Sequence, residues 1–306
     1  MRRPHPSIAP VTIAAAALLW PPAVFAHDGH AHPPTLAQAW TLSPMVLVPF
    51  VLLAVLYAFG LSRLWRQAGI GRGVTPAGVA GFWSGMLSLA LAAIWPLDAY
   101  GAWSLAAHMA QHMLLLALVP PLLLAGKPFA VAAYALPRRW SSALHAALHA
   151  PLTRISAWLV PAAVAHSAVM WAWHLPGALE AVLASAPLHH LMHLSFLLAG
   201  MWFWAAAWRR LRDPGSGAGA GVVALLAVMM QMGFLGALLA FSQRALYPVY
   251  AVRAPGVGLA PLADQQLAGI LMWVPSCIPY LAGGLWLLWQ GLRRIERRTP
   301  SRGTSR

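Results

Sequence analysis

The stretch Trp103-Ser-Leu-Ala-Ala-His108-Met109-Ala-Gln111-His112-Met113-Leu-Leu-Leu-Ala-Leu-Val-Pro120-Pro121-Leu-Leu-Leu124 contains no Asp, Glu, Lys or Arg. Wound as a helix at 1.5 Å per residue, it spans about 33 Å, enough to cross the ~30 Å hydrocarbon core of a bilayer. Its few polar groups are ordered: His108 and His112 stand four residues apart and therefore share one helix face. The run thus reads as a membrane helix with a polar stripe near one end.

Six further apolar runs flank it, near 42–64, 76–97, 152–174, 187–208, 218–241 and 265–289. In lipid every backbone group must be satisfied within the segment, so runs of this length are helices. Composition agrees: hydrophobic residues make up 60% of the 306 positions and charged residues 8%. Soluble domains carry about a quarter charged residues. The expected fold class is all-α, a polytopic membrane helix bundle with seven transmembrane helices after a cleaved signal peptide.

The signal is read from Met1-Arg2-Arg3, the apolar run Ile8 to Trp20, and the small or short side chains Val24 and Ala26. These predict cleavage after Ala26, an exported His-rich segment over 27–41, a membrane domain over 42–290 and a basic cytoplasmic tail over 291–306. An uncleaved signal anchor is the alternative, and in both cases residue 27 lies outside the cytoplasm.

Charge tests this topology. With residue 27 outside, the inner segments hold Arg63, Arg66 and Arg72; Lys127, Arg138, Arg139 and Arg154; Arg209, Arg210 and Arg212; and six arginines from Arg293 to Arg306. The outer loops hold only Arg244 and Arg253. That asymmetry follows the positive-inside rule, and a missed or extra span would scramble it. It places the chain in a bacterial inner membrane, N-terminus periplasmic and C-terminus cytoplasmic. It also explains the net charge of +14 without nucleic acid. Residues 127–151, with His145 and His149, read as an amphipathic helix on the inner surface. Residues 242–264 form the longest outer loop, and 215–221 a flexible inner turn.

Thirteen histidines are many for such a chain. Ionisable groups in spans are costly, face the bundle interior and mark function. His108 and His112 lie in the outer half of span three, His174 at the outer end of span four, and His189, His190 and His193 at the outer start of span five. His166 sits about two turns deeper. The pairs His108/His112 and His189/His193 each present two imidazoles on one face, so facing helices could converge four of them on a metal. The competing reading is a set of structural histidines hydrogen-bonded to neighbouring helices. Met109 and Met113 add soft thioethers suited to Cu(I), or else fill packing gaps. His27, His30 and His32 could capture a metal outside the membrane. Trp171 and Trp173 read as interfacial anchors. The single cysteine, Cys277, excludes a disulfide framework within one chain. Six acidic residues, with no placeable Ser-His-Asp set or phosphate loop, argue against an enzyme.

Several blocks resemble the CtaG family of caa(3)-type cytochrome c oxidase assembly factors, over roughly residues 40–290. They are His108-Met-Ala-Gln-His112-Met, then Pro120-Pro121 through Gly126-Lys-Pro128, and Trp173-His174-Leu-Pro176. His189 and His193 follow, ahead of Gly200-Met-Trp-Phe-Trp204. Last come Tyr247-Pro-Val-Tyr250, Asp264-Gln265-Gln266-Leu-Ala-Gly269 and Met272-Trp273. The N-terminal His-rich segment departs from that pattern. The resemblance implies a role in supplying copper to a haem–copper oxidase. Its partners would be cytochrome c oxidase subunits, periplasmic copper chaperones and the bilayer. The expectation is that His108, His112, His189 and His193 bind copper, with His174 as a further ligand. His190, His166, Asp264, Gln265, Met109 and Met113 are supporting candidates, Asp264 and Gln265 orienting imidazoles through hydrogen bonds. Haem b held by facing histidines, a copper permease and a histidine-packed scaffold are the rival readings.

Overall fold

A computed structural model describes residues 32–211 and 217–298. The expected signal segment, His27, His30 and the end of the basic tail lie outside these described residues, and every regular element among them is helical. The order is α1 Pro44–Ala68, α2 Pro76–Ala93, the short α3 Leu97–Gly101 and α4 Leu105–Ala125, followed by α5 Pro128–Ala133 and α6 Arg138–Ser156. Then come α7 Leu159–Trp173, α8 Pro176–Ala184, α9 Ala186–Arg209, α10 Gly217–Ala240, α11 Pro248–Arg253 and α12 Pro261–Arg298. Among the described residues, six elements are long and apolar enough to cross a membrane: α1, α2 with α3, α4, α9, α10 and α12. A seventh results if the bent pair α6–α7 counts as one span.

That pair corrects the expected boundary at 151/152. Pro151 does not end the amphipathic helix, which runs on to Ser156 and then turns by 83° into α7. The turn has visible causes. The inner end of α9 captures carbonyls there: Trp202 Nε1 donates to Ile155 O (2.9 Å) and Arg210 Nη2 to Ala157 O (2.6 Å). The same carbonyls also accept from backbone amides, Ile155 O from Trp158 N (3.0 Å) and Ala157 O from Leu159 N (3.2 Å), so the side chains add second hydrogen bonds that pin the turn to α9. From that basic end α7 runs to His174, which meets Met109 on α4. It reaches the histidine end of the bundle with only 15 residues.

Two close approaches set the packing. Gly236 of α10 and Gly269 of α12 lie backbone against backbone, the small-residue contact expected between helices in lipid. In α4 a π-helical turn, Leu114–Leu118, precedes Pro120 and Pro121. Proline has no N–H, so carbonyls of this turn lose their helical donor. Gly200 of α9 sits on them: a Cβ there would be 2.7 Å from Leu116 O and 3.4 Å from Leu115 O. The two helices carrying the His-x-x-x-His pairs are thus drawn together just below the histidines.

Helix α1 is attached unevenly. Its buried residues are Tyr57, Gly60 and Leu64, all in its C-terminal half, the half expected to be the inner one. Tyr57 donates to Gly126 O (3.1 Å) and stacks on Phe82. The outer half contributes no buried residue.

Candidate metal centre

The polar residues of α4, α7, α9 and the short α3 converge at the end of the bundle opposite most of the arginines. On α4, His108 and His112 are fully buried, with ring centroids 4.3 Å apart. On α9, His189 and His193 face them at 4.2 Å from each other. Across the helices His108 lies 6.1 Å from His189, and His112 lies 6.0 Å from His193 and 5.7 Å from His174. All five expected ligand histidines therefore form one connected cluster. Within it, both ring nitrogens of His112 are buried without a hydrogen-bond partner among the described residues. Buried polar atoms are nearly always partnered, which makes His112 a candidate binding position.

The structure adds Asp98, which the sequence reading did not single out as a ligand. It sits on α3 with Oδ1 3.9 Å from His193 Nδ1 and 4.0 Å from His189 Nε2. These three ligand atoms lie within 4.8 Å of one another, the spread of a metal's donor set. Gln111 Nε2 holds the carboxylate in place, donating to Asp98 Oδ1 (2.8 Å) and to Ala92 O (2.7 Å). Replacing Asp98 by Asn keeps that amide contact and removes the charge. The expected result is a metal affinity lower by about 10- to 100-fold at unchanged thermal stability, read by competition with a chelator of known affinity.

His174 is oriented by its own helix. Its Nδ1 lies 2.6 Å from Met170 O, and a carbonyl only accepts, so the proton is on Nδ1. The Nε2 lone pair then faces Met109 Sδ at 3.0 Å. An imidazole nitrogen and a thioether thus stand side by side at the cluster, a pairing that suits a soft cation.

The other candidates take different places. Asp264 is fully buried and accepts from Ser104 Oγ (2.6 Å), Leu105 N (2.7 Å) and Ala106 N (3.1 Å). It caps the N-terminus of α4, so it acts on His108 and His112 through the helix that carries them. Gln265 ties the outer loop, accepting from Leu246 N (2.6 Å) and donating to Arg244 O (3.1 Å). His190 turns toward α1, with Nε2 3.2 Å from Ser43 Oγ and Nδ1 2.8 Å from Ala186 O. His166 is a separate buried pair with Tyr280 (2.9 Å). Met113 is buried in the main core. His32 is exposed at the edge of the described residues. Trp171 and Trp173 do more than anchor: their indoles donate to Gln231 Oε1 (3.0 Å) and Ser195 Oγ (2.8 Å).

The outer loop closes over the cluster. Tyr250 donates to Gly101 O (2.6 Å) and Tyr247 to His174 O (2.7 Å), so α11 straps both the end of α3 and the end of α7. Burial pushes the Tyr247 hydroxyl up to about 12 and that of Tyr250 higher still, so both remain donors. The Tyr-Pro-Val-Tyr motif carried no role in the sequence, because its hydroxyls act on carbonyls of distant segments.

The bundle and its buried polar centre define a class: multi-pass helical membrane proteins with a histidine-lined site at one end of the spans. Comparison with known proteins gives the family. The profile of the cytochrome c oxidase caa3 assembly factors (Caa3_CtaG) matches residues 55–294, and the chain belongs to that family. Two similar proteins are uncharacterized ones of Mycobacterium bovis and Mycobacterium tuberculosis. Each is 28% identical over 292 residues, which cover 88% of this chain and 42% of theirs. The chain thus spans under half the length of the curated relatives it matches. No solved structure matches it significantly.

Proposed function

We propose that this protein takes up copper at the histidine cluster and delivers it to a haem–copper cytochrome c oxidase during assembly. It does so without catalysing a reaction, from a bacterial inner membrane. The chain crosses that membrane seven times, α6–α7 supplying the fourth crossing, with residue 27 periplasmic after signal cleavage and the arginine-rich end in the cytoplasm. The observation that carries the reading is His112, buried with two unpartnered ring nitrogens among four further imidazoles and a carboxylate. The donor chemistry fits the cargo. Imidazoles with a thioether suit Cu(I). With neutral imidazoles the Asp98 carboxylate gives the site one negative charge, which a monovalent cation neutralises. A haem needs a flat slot between two imidazoles, whereas here the rings crowd one another and Phe196 lies 4.4 Å from His112. Copper arrives from the periplasm, from a chaperone of that compartment, and leaves to an oxidase subunit within the bilayer. His27, His30 and His32 serve as a first capture point ahead of the strap.

The test is an absorption spectrum with metal analysis of detergent-purified protein, wild type beside the His108→Ala/His112→Ala double variant. Bound copper without a Soret band, lost in the variant together with active oxidase in cells, is expected. A Soret band, or undiminished oxidase activity in cells carrying the variant, would overturn the reading.

A further inference from the structure

A cavity of about 280 Å³ opens beside the cluster, between the outer half of α1 and α9, and His190 and His193 both line it. The rest of its wall is apolar, with Met45, Phe50 and Leu53 from α1 and Leu115 and Leu197 opposite. His193 has the most exposed side chain of the site's measured ion-pair partners, at 12% against 7% for His189 and 6% for Asp98. The opposite approach, from the aqueous side, lies under the Tyr247–Tyr250 strap. On the cavity side the wall is α1, whose fully buried residues Tyr57, Gly60 and Leu64 all lie in its inner half, while its outer half is only partly buried, through Phe50, Leu53 and Ala54, and has Pro49 inside the helix. Proline removes a helical hydrogen bond and is a common point of bending.

His190 is prepared at the mouth of this cavity. Its Nδ1 lies 2.8 Å from Ala186 O, an acceptor, which fixes the proton on Nδ1. Nε2 therefore presents a lone pair, and among the described residues it is hydrogen-bonded by the Ser43 hydroxyl alone, at 3.2 Å and at the start of α1. A ligand-competent imidazole is thus capped by one long hydrogen bond from the helix that forms the cavity's outer wall.

We propose that the α1–α9 cavity is a lateral portal through which a cuprous ion leaves the buried cluster toward the membrane, with His190 as the transfer ligand. This rests on the copper reading above and adds to it the route. The step is a ligand exchange: the cation moves from the cluster at His193 onto His190 Nε2, the Ser43 hydroxyl is displaced, and the outer half of α1 swings away from α9. No electron moves and the ion remains Cu(I). An apolar wall suits such passage, because a monovalent soft cation held by neutral imidazole and thioether ligands needs no water shell.

The experiment uses full-length protein in nanodiscs loaded with Cu(I). Two chelators are compared: neocuproine, which partitions into the bilayer, and bathocuproine disulfonate, which stays in water. In the wild type neocuproine is expected to extract copper at least tenfold faster. Leu53→Trp fills the cavity from the α1 side and Leu197→Trp from the α9 side, so a folding failure in one leaves the other. Either is expected to slow neocuproine at least tenfold while bound copper and the bathocuproine rate stay unchanged. His190→Leu is expected to slow it likewise at full copper occupancy. Copper that stays bound but leaves at the same rate in all three variants overturns the portal and leaves the copper site standing. Wild-type protein that binds no Cu(I) overturns both.

Discussion

Asp264→Ala is expected to destabilise the protein by about 4 kcal/mol and to abolish copper binding, although Asp264 need not touch the metal. The carboxylate receives three hydrogen bonds, from a hydroxyl and two backbone amides at the start of α4. Each hydrogen bond to a charged group contributes about 1.5–3 kcal/mol, and a buried donor left alone costs about 1–3 kcal/mol. In the variant the Leu105 and Ala106 amides stay buried with no replacement acceptor, and the first turn of α4 must open. His108 begins in that turn, so the metal loses its ligands by displacement. Asp264→Asn should fall between the two, since an amide offers one accepting oxygen and turns a donor toward another donor. Denaturant or thermal unfolding in detergent gives the stability, and metal analysis of the folded fraction gives the site. An alanine variant as stable as wild type would show that α4 is held by other means.

Gly200→Leu is the second large effect. The added Cβ alone would meet Leu116 O and the Pro120 ring at 2.7 Å, and the Leu116 carbonyl is backbone that cannot swing aside. Overpacking of this kind costs about 1–3 kcal/mol, with the strain relieved by separating α4 from α9. Separation carries His108 and His112 away from His189 and His193. Copper affinity is expected to fall at least tenfold with all ligands present, and Gly200→Ala should show a smaller loss in the same direction. Isothermal or chelator-competition titration reads it, and equal affinity in the leucine variant would rule out this contact as the spacer of the site.

The convergence of five histidines was legible in the sequence because two ingredients suffice for it: depth along each span and the four-residue period of a helix. His108, His112, His189 and His193 supply both. Asp98 was not legible. It lies at a span boundary where the chain breaks and a five-residue helix follows, and its direction is set by Gln111 from another helix. The α6–α7 boundary was misread for a similar reason. Pro151 is a local signal for ending a helix, but the helix ends where Trp202 of α9 and Arg210 just beyond it donate to the carbonyls of Ile155 and Ala157. Asp264 was legible as a polar residue at the right depth. Its role as a cap of α4 depended on which helix end packs beside it, and no spacing encodes that.

The brevity of α7 has a consequence for the lipid around it. Its 15 residues span about 22 Å, whereas the surrounding hydrocarbon is ~30 Å thick. Its surface-lying predecessor α6 exposes Trp140, Leu144, Leu148 and Leu152, a stripe that can sink into the acyl region. With the orientation and the fourth crossing proposed above, the inner leaflet would thin along this flank, at a cost of a fraction of a kcal/mol for each ångström of mismatch. A second protein with a thin flank would share the dip rather than create another. Bilayer elasticity alone would then draw such a client to the α7 side of the bundle and hold it there while assembly proceeds.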